Sequence, residues 1–389
     1  MFTRFLSFCF SKESFFLFGP RQVGKSTILD EIPCLLKLDL LDPSQQLAYA
    51  KNPNLLILQT KNILEKKERE HCCVIIDEVQ RVPPLLDVVQ ILIKEYPSLQ
   101  FIMSGSSARK LKRGHANLLG GRAVYHTLHP LTFTELGKHF DLEKVLSFGS
   151  LPKIYSILLE DKLELAQNLL RSYIITYLKE EIQEEALTRN IQGFQNFLEI
   201  AVAQFAEQIN YSEVARESLV SYTTVREYYS ILEDTLIGYV LQPYLRSKRK
   251  RMSHAPKFYF FDNGVTQAAA GTLKSTLTPQ QKGRLFEQWI VQEVQRINLY
   301  YQQDWKLSFW RTAHGAEVDF IIERGREILF AIECKYKTTI SGADLSGLKA
   351  FHDVYPKVPL FVVAPVAHSL KFENVSVFSP QELFQRLLS

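Results

Sequence analysis

The segment Gly19-Pro-Arg-Gln-Val-Gly-Lys-Ser constrains this chain more than any other feature. It has the glycine and lysine spacing of a P-loop, it follows an apolar run at Phe15 to Phe18, and a helical pattern comes after it. Its glycines let the backbone turn tightly enough for successive N–H groups to face phosphate oxygens. The pattern therefore predicts a strand, a phosphate-binding loop and a helix in an N-terminal α/β domain.

The residues of this loop have separate expected roles in binding ATP and Mg²⁺. The ammonium group of Lys25 would lie at the β- and γ-phosphates, and the hydroxyl of Ser26 would bind Mg²⁺. The helix that begins near Lys25 would add its positive N-terminal end. The predicted nucleotide contacts are Gly19, Pro20, Arg21, Gln22, Val23, Gly24, Lys25, Ser26 and Thr27.

An acidic motif follows about fifty residues later, where Val74-Ile-Ile-Asp-Glu ends an apolar run with two carboxylates. Asp77 is expected to hold the magnesium ion through water, and Glu78 to orient or deprotonate the attacking water. The order of the two motifs, each at the end of a strand, predicts an enzyme that hydrolyses ATP, with Lys25 and Glu78 among its catalytic residues.

Two further residues are candidates for catalysis, and each has an ordinary structural alternative. Ser104, after the predicted strand Gln100 to Met103, could reach the γ-phosphate or the attacking water, or could cap a turn. Arg122 could act as a transition-state arginine in cis or from a neighbouring subunit, or could form a surface ion pair. The role in trans would require an oligomer.

The C-terminal sequence brings carboxylates and a lysine together. Glu317-Val-Asp-Phe-Ile-Ile and Leu329-Phe-Ala-Ile-Glu-Cys-Lys predict two adjacent strands that carry Asp319, Glu333 and Lys335. Because residues two apart on a strand share a face, Glu333 and Lys335 point the same way, and the neighbouring strand can place Asp319 beside them. The pattern predicts a metal site, to which Glu287 on the preceding helix could add a carboxylate. An ordinary strand with alternating charges is the alternative.

A basic run lies at the tip of a predicted hairpin that follows a helical unit. The order of elements indicates a helix-turn-helix with a wing, which would place one helix in a major groove and the tip on phosphates. The net charge of +4 is too small to show that the chain binds nucleic acid. The alternative is a solvated loop on a protein-binding unit. The predicted nucleic-acid contacts are Lys248, Arg249, Lys250, Arg251, Thr223 and Arg226.

Longer segments resemble the bacterial and archaeal AAA-type ATPases that carry a C-terminal domain of unknown function. One departure from those relatives is Lys179-Glu180, where they tend to carry Arg-Asp. The resemblance covers nearly the whole chain, and it rests on Phe18-Gly-Pro-Arg-Gln-Val-Gly-Lys-Ser, Ile76-Asp-Glu-Val-Gln-Arg-Val-Pro, Ser104-Gly-Ser-Ser, Gly121-Arg-Ala-Val-Tyr-His, Gly149-Ser-Leu-Pro, Gly283-Arg-Leu-Phe-Glu and Glu317-Val-Asp-Phe.

The C-terminal carboxylates also resemble the restriction-endonuclease-like nuclease core. In that core Asp319 and Glu333 would hold Mg²⁺, Glu287 would assist the metal, and Lys335 would stabilise the attacking hydroxide or the developing charge. The expected fold class is α/β: an AAA-type P-loop parallel sheet with a helical lid, a winged-helix middle unit and a restriction-endonuclease-like α/β domain. The expected domain boundaries are 1–135, 136–194, 195–265 and 266–389.

The preferred hypothesis is an ATPase, with ATP and Mg²⁺ as cofactors, that regulates a DNA-binding C-terminal half whose cleavage activity is left open. The alternative is a nucleotide-dependent switch that binds a protein partner through an inactive nuclease-like domain. A small-metabolite kinase is disfavoured because the long C-terminal half would have no role. No stretch is apolar over enough residues to span a bilayer, and the five cysteines show no paired framework, so a cytoplasmic location is expected.

Overall fold

The computed structural model describes residues 2–6, 13–65, 72–106, 119–174, 190–244 and 255–388. By its internal contacts the chain forms two compact units. Unit 1 comprises Met1–Leu131, Glu184–Ala186 and Asp234–Ile237, and unit 2 comprises Thr132–Gln183, Leu187–Glu233 and Gly238–Ser389. Among the described residues, none of the helices combines the length and the apolar character needed to cross a bilayer.

Unit 1 is built on a parallel sheet of five strands in the order β2-β3-β4-β1-β5. Phe15, Phe16 and Leu17 are fully buried, as expected for a central strand of a parallel sheet covered on both faces. The predicted parallel α/β fold is therefore confirmed. The strands are β1 Ser14–Phe18, β2 Leu36–Asp39, β3 Cys72–Asp77, β4 Leu99–Gly105 and β5 Ala123–Thr127.

The helices of unit 1 bury their apolar faces against this sheet. Leu85, Val89 and Leu92 recur at the spacing of one helix face, and all of them are buried in the same core as Val74 and Phe101 of the sheet. Because all five strands are parallel, the loops that follow them lie at one edge of the sheet. The described helices are α1 Lys25–Asp30, α2 Pro43–Lys51, α3 Leu55–Leu64 and α4 Leu85–Glu95.

Unit 2 begins with a group of helices. Ser221 caps the helix Tyr222–Asp234, since the Thr224 N–H donates to Ser221 Oγ at 3.1 Å. Thr278 and Gln281 form a capping box that starts the longest of the described helices. The described helices are α5 Phe133–Leu136, α6 Leu142–Phe148, α7 Pro152–Leu159, α8 Leu163–Ser172, α9 Ile191–Ala203, α10 Tyr211–Ser218, α11 Tyr222–Asp234, α12 Asn263–Ala269, α13 Pro279–Tyr300, α14 Ser346–Val354 and α15 Pro380–Leu388.

A mixed sheet of eight strands forms the other layer of unit 2, in the order β12-β13-β11-β10-β9-β8-β6-β7. The predicted hairpin is present as the antiparallel pair β6–β7, and β6 also pairs in parallel with β8. The hairpin thus extends the C-terminal sheet, a connection that the sequence did not indicate. The strands are β6 Gly238–Pro243, β7 Lys257–Phe260, β8 Trp305–Arg311, β9 Glu317–Arg324, β10 Glu327–Cys334, β11 Leu360–Val363, β12 Leu370–Phe372 and β13 Val375–Phe378.

A buried polar cluster joins α13 to segments that are distant in sequence. Arg296 donates to Glu293 Oε1 at 2.7 Å, and the Phe133 N–H donates to Glu293 Oε2 at 3.0 Å. Asp262 accepts a hydrogen bond from the Ser150 N–H at 2.7 Å. These groups are almost completely buried, and such groups are tolerated only when they have partners. The cluster therefore fixes the start of unit 2 against its long helix.

Candidate functional site

The P-loop begins where β1 ends, at the carboxyl edge of the unit 1 sheet. Gly24 has a φ of 95°, which lies in the left-handed region that glycine adopts without strain. A Cβ atom on Gly19 would lie 2.3 Å from the carbonyl oxygen of Leu128, so a larger residue would clash with backbone. The two glycines are thus required by the path of the chain.

The ammonium group of Lys25 lies inside the loop. Its Nζ donates to the carbonyl oxygens of Gly19 at 2.6 Å and Pro20 at 3.0 Å, and the residue is only 7% exposed. A buried ammonium requires such acceptors. The same donors can bind phosphate oxygens when a nucleotide enters, because carbonyl and phosphate oxygens are both hydrogen-bond acceptors.

Asp77 connects the P-loop to the two neighbouring strand ends. Ser26 Oγ donates to Asp77 Oδ2 at 3.0 Å across 51 residues of sequence, and the hydroxyl of Ser104 donates to Asp77 Oδ1. The Glu78 N–H in turn donates to Ser104 Oγ at 3.3 Å. Hydroxyl and carboxylate oxygens are ligands that Mg²⁺ prefers, so Ser26 and Asp77 fit a magnesium ion bound with ATP.

Glu78 is held by Gln80, a residue that sequence analysis missed. The side-chain amide of Gln80 donates to Glu78 Oε2, and Glu78 itself has a φ of 58°, which is uncommon for a residue with a side chain. Gln80 is buried, and its Oε1 has no hydrogen-bond partner within the described part of the chain. The sequence signal for Gln80 was its position as a polar residue between Val79 and Val82, which are both buried.

Arg4 holds the backbone of the P-loop, and sequence analysis did not identify it. Its guanidinium donates to the carbonyl oxygens of Val23 and His129, each at 2.6 Å. A planar guanidinium can bridge two acceptors in this way because its donors are fixed in a fork. The N-terminal residues therefore help to set the backbone conformation of the loop.

Arg122 lies far from the P-loop of its own chain. Arg122 directly precedes β5, and the first residue of β5, Ala123, pairs with Ser14 at the start of β1. The P-loop, in contrast, follows Phe18 at the end of β1. The exposed Arg122 is therefore at the opposite edge of the sheet, about 15 Å away for a strand of this length. The prediction of a role in cis is not supported, while a role in trans stays a prediction.

The predicted nucleic-acid contacts are only partly visible. Lys248, Arg249, Lys250 and Arg251 lie outside the described residues, as does the departure at Lys179-Glu180. Thr223 and Arg226 are exposed on the first turns of α11, and the guanidinium of Arg226 lies 5.7 Å from the centre of the Tyr211 ring. Contact between these two residues and DNA stays a prediction.

The C-terminal carboxylates lie close together in unit 2. The Cys334 N–H donates to Asp319 Oδ2 at 2.7 Å, which places Asp319 on β9 beside the end of β10. Lys335 Nζ donates to Glu333 Oε1 at 2.7 Å. Glu333 Oε2 is buried and has no hydrogen-bond partner among the described residues. An unpaired buried carboxylate oxygen is costly, and it is a candidate ligand atom for a cation.

Burial and mutual repulsion perturb this cluster. Burial raises the pKa of Asp319 well above its ordinary value, and the Glu333 and Glu287 carboxylates raise it further. Burial also raises the pKa of Glu333, against the opposing effect of Lys335. Burial alone would lower the pKa of Lys335, but Glu333 and Asp319 raise it overall. Such perturbed groups are typical of functional sites, although structural ion pairs also produce them.

Lys257 joins this cluster from β7, and sequence analysis missed it. Its Nζ lies 3.1 Å from Glu287 Oε1 and 2.6 Å from Glu317 Oε1, and its side chain is 4% exposed. Burial alone would lower the pKa of Lys257, but the carboxylates of Glu287, Asp319 and Glu317 hold it well above its ordinary value. The Tyr259 hydroxyl also donates to Glu287 Oε1, at 2.5 Å. The paired carboxylates therefore favour the charged form of Lys257 in this buried place.

A cavity of about 490 Å³ opens beside this cluster, and its walls carry both signs of charge. Across the described residues, no group of three or more His, Cys, Asp and Glu side chains is arranged as a ready-made metal site. The carboxylates are instead partnered by lysines, so the predicted Mg²⁺ site of unit 2 stays a prediction. The charged wall residues include Lys257, Arg284, Arg311, Glu287, Glu317 and Asp319.

Three family models match consecutive parts of the chain. Residues 11–137 match the model described as an AAA domain, residues 139–276 match a domain of unknown function (DUF8612), and residues 282–384 match another (DUF4143). The first match includes the P-loop, Asp77 and Ser104, and it supports a nucleotide-binding ATPase. The other two matches assign no function, so the winged-helix and restriction-endonuclease-like interpretations stay predictions.

The similar proteins are uncharacterized. The chain is 24% identical over 371 residues to Rv2008c of Mycobacterium tuberculosis and to Mb2031c of Mycobacterium bovis, which covers 94% of this chain and 79% of each relative. It is 22% identical over 302 residues to a protein of Haemophilus influenzae, covering 73% of this chain and 70% of that protein. These relatives extend the similarity over most of the chain without assigning an activity.

Two of the solved structures that are similar to this chain are multi-protein complexes, and the similarity is low. A Thermococcus gammatolerans McrB AAA+ hexamer with bound McrC gives a TM-score of 0.22 at 12% identity, covering 51% of this chain and 52% of that chain. Drosophila ORC bound to AT-rich DNA and Cdc6 gives a TM-score of 0.21 at 12% identity, covering 66% and 84%. Scores this low carry no argument about function.

Proposed function

We propose that unit 1 binds ATP together with Mg²⁺ and hydrolyses it. The observation that carries this proposal is the 3.0 Å hydrogen bond between Ser26 and Asp77, because it places the P-loop hydroxyl against the acidic end of β3. This is the arrangement in which one serine oxygen and one carboxylate can serve the same magnesium ion. The match of residues 11–137 to the AAA domain supports the same activity.

The residues of the site divide the work of hydrolysis. Lys25 would transfer its hydrogen bonds from the loop carbonyls to phosphate oxygens, where its charge opposes that of the triphosphate. Ser26 and, through water, Asp77 would hold the magnesium ion, which would reduce the charge repulsion between phosphates and attacking water. Glu78 would orient that water once its carboxylate is released from Gln80. Ser104 would fix the positions of Asp77 and Glu78 by its hydrogen bonds to both residues.

Replacing Glu78 with glutamine tests this division of roles. Glu78→Gln keeps the size and the polarity of the side chain but removes its ability to accept a proton, so kcat is expected to fall by about 10²-fold. ATP affinity should change by about twofold or less, because Lys25 and Ser26 are untouched. Phosphate release and the binding of a fluorescent ATP analogue measure the two quantities on the same preparation.

Glu95→Gln is the matched control, since Glu95 is a partly exposed acid of unit 1 whose partner is Lys61 on a neighbouring helix. It should leave both kcat and ATP affinity unchanged. A wild-type protein that shows no affinity for ATP in the presence of Mg²⁺ would refute the proposed function. Full hydrolysis by Glu78→Gln would refute the role given to Glu78.

A second candidate function is the metal-assisted cleavage of DNA by unit 2, regulated by the nucleotide state of unit 1. The proximity of Asp319, Glu333 and Lys335, together with the unpaired oxygen of Glu333, favours this candidate. Asp319 and Glu333 would hold the cation with help from Glu287, and Lys335 would stabilise the developing negative charge. Thr223 and Arg226 are exposed and could contact DNA.

Cleavage of several forms of DNA, with Mg²⁺ or Mn²⁺ and with or without ATP, tests the second candidate. Asp319→Ala and Lys335→Ala are each expected to lower the cleavage rate by about 10²-fold or more. Asp353→Ala, at an exposed acid of unit 2, is the matched control. Activity that persists in both site variants would come from another site or a contaminant. Absent cleavage, together with DNA association that does not weaken with salt, would favour the protein-binding switch.

A further inference from the structure

A buried ammonium lies at the acidic side of the unit 2 cavity, and it comes from outside the predicted carboxylate motif. Lys257 is the first residue of β7, whereas its partners are Glu287 on α13 and Glu317 on β9. Residues two apart on a strand share a face, so Glu317 lies on the face of β9 that carries Asp319. Lys257 therefore reaches the face of β9 that carries Asp319.

Two further cations of the cluster, Lys335 and Arg311, each pair with one carboxylate. Lys335 Nζ lies 2.7 Å from Glu333 Oε1, and an Nη atom of Arg311 lies 3.0 Å from Glu317 Oε2. Glu287 is doubly held, by Lys257 and by the hydroxyl of Tyr259. Glu333 Oε2 is a fully buried carboxylate oxygen that lacks a partner among the described residues. The cluster beside the cavity thus contains a buried, unpaired carboxylate oxygen on Glu333 and an internal cation at Lys257.

We infer that Lys257 is a built-in counter-cation that sets how tightly the Asp319–Glu333 site binds a divalent metal ion. This inference rests on the cation-binding role proposed for those two carboxylates. Two positive charges within one poorly solvated pocket repel each other strongly. A metal ion that recruits Glu287 must also compete with Lys257 for its carboxylate. Both effects keep the metal affinity of the native protein low.

A purely structural role for Lys257 makes a different prediction. In that case the ammonium would only satisfy Glu287 and Glu317, and its removal would lower the stability of unit 2 without changing metal affinity. The distinguishing measurement is therefore the dissociation constant of the metal ion in the absence of substrate. Activity is not needed as a readout.

The test is a titration of the nucleotide-free, full-length protein with Mn²⁺, in which the electron paramagnetic resonance signal reports free metal. Lys257→Met is expected to bind Mn²⁺ at least about tenfold more tightly than the wild-type protein. Lys257→Arg keeps the charge and should stay within about threefold of the wild type. Adding Asp319→Asn to Lys257→Met should remove the tight event, which separates it from Mn²⁺ bound elsewhere, including at Asp77.

A second pair of variants guards against loss of folding, since Lys257→Met leaves Glu287 and Glu317 without their cation. Lys257→Met with Glu317→Gln removes one charge of each sign and keeps Asp319, Glu333 and Glu287. This double variant should bind Mn²⁺ about tenfold more tightly than Glu317→Gln alone. Unchanged affinity in both comparisons, or no Asp319-dependent binding in any variant, would overturn the inference. The titration contains neither DNA nor ATP, so a failure of cleavage or hydrolysis leaves its outcome intact.

Discussion

Lys25→Ala is expected to lower kcat/KM for ATP hydrolysis by about 10³-fold or more. The ammonium of Lys25 is buried inside the P-loop and donates to Gly19 and Pro20, so its removal takes a fixed positive charge from the place where the triphosphate would bind. Both ground-state binding and stabilisation of the transition state depend on that charge. Steady-state phosphate release and a separate ATP titration measure the two contributions.

Lys94→Ala is the matched control for this prediction. Lys94 is an exposed lysine on α4 of the same unit, and its removal should leave kcat/KM unchanged. Lys25→Arg adds a stricter comparison, because it keeps the charge but places a wider, planar group in a nearly closed space. It should also lose most activity. A Lys25→Ala protein that hydrolyses ATP at a rate close to wild type would show that the P-loop is not the active site.

The nucleotide site could be predicted from sequence because its residues lie at strand ends. Phe15–Phe18 and Val74–Ile76 are apolar runs too short for helices; the first is followed by the glycine-containing P-loop and the second by two acids. In a parallel sheet such ends share one edge, which brought Ser26 within 3.0 Å of Asp77. The same rule puts Arg122 at the opposite edge, since a residue that precedes a parallel strand lies at the edge where the strands begin.

The surroundings of the C-terminal carboxylates could not be predicted in the same way. Asp319 and Glu333 lie on two consecutive strands joined by a tight turn, and Lys335 directly follows the second strand, so local alternation was sufficient to bring them together. Lys257 arrives through the pairing of β6 with β8, which are separated by more than sixty residues. Long-range pairing depends on packing of the whole sheet and not on any short pattern. The remaining sequence signal was a lysine directly before the apolar run Phe258 to Phe261.

The segment Gly149-Ser-Leu-Pro, which contributed to the family resemblance, has a physical role in unit 2. The Ser150 N–H donates to the buried carboxylate of Asp262, and Arg296 donates to Ser150 Oγ at 3.4 Å. Leu151 is fully buried beside them. The segment thus connects the first helices of unit 2 to the polar cluster on α13. Loss of that cluster should therefore destabilise unit 2.

Arg296→Met is accordingly expected to lower the free energy of unfolding of unit 2 by about 3–5 kcal/mol. Arg296 and Glu293 are each 2% exposed, and their ion pair is 2.7 Å long. Burial raises the pKa of Glu293, whereas Arg296 lowers it and so favours the ionised form. Without Arg296, Glu293 must stay charged in a buried place or take up a proton. Either state is less favourable than the pair.

Urea denaturation followed by tryptophan fluorescence measures this loss selectively, because Trp289, Trp305 and Trp310 all belong to unit 2. Glu293→Gln in the Arg296→Met background removes the unpaired charge but keeps an oxygen for the Phe133 N–H, so it should restore about 1–2 kcal/mol. Arg216→Met, at an arginine whose side chain is 75% exposed, should change stability by about 0.5 kcal/mol or less. Equal stability of Arg296→Met and Arg216→Met would mean that the buried pair contributes nothing, and the cluster would lose its assigned part in holding unit 2 together.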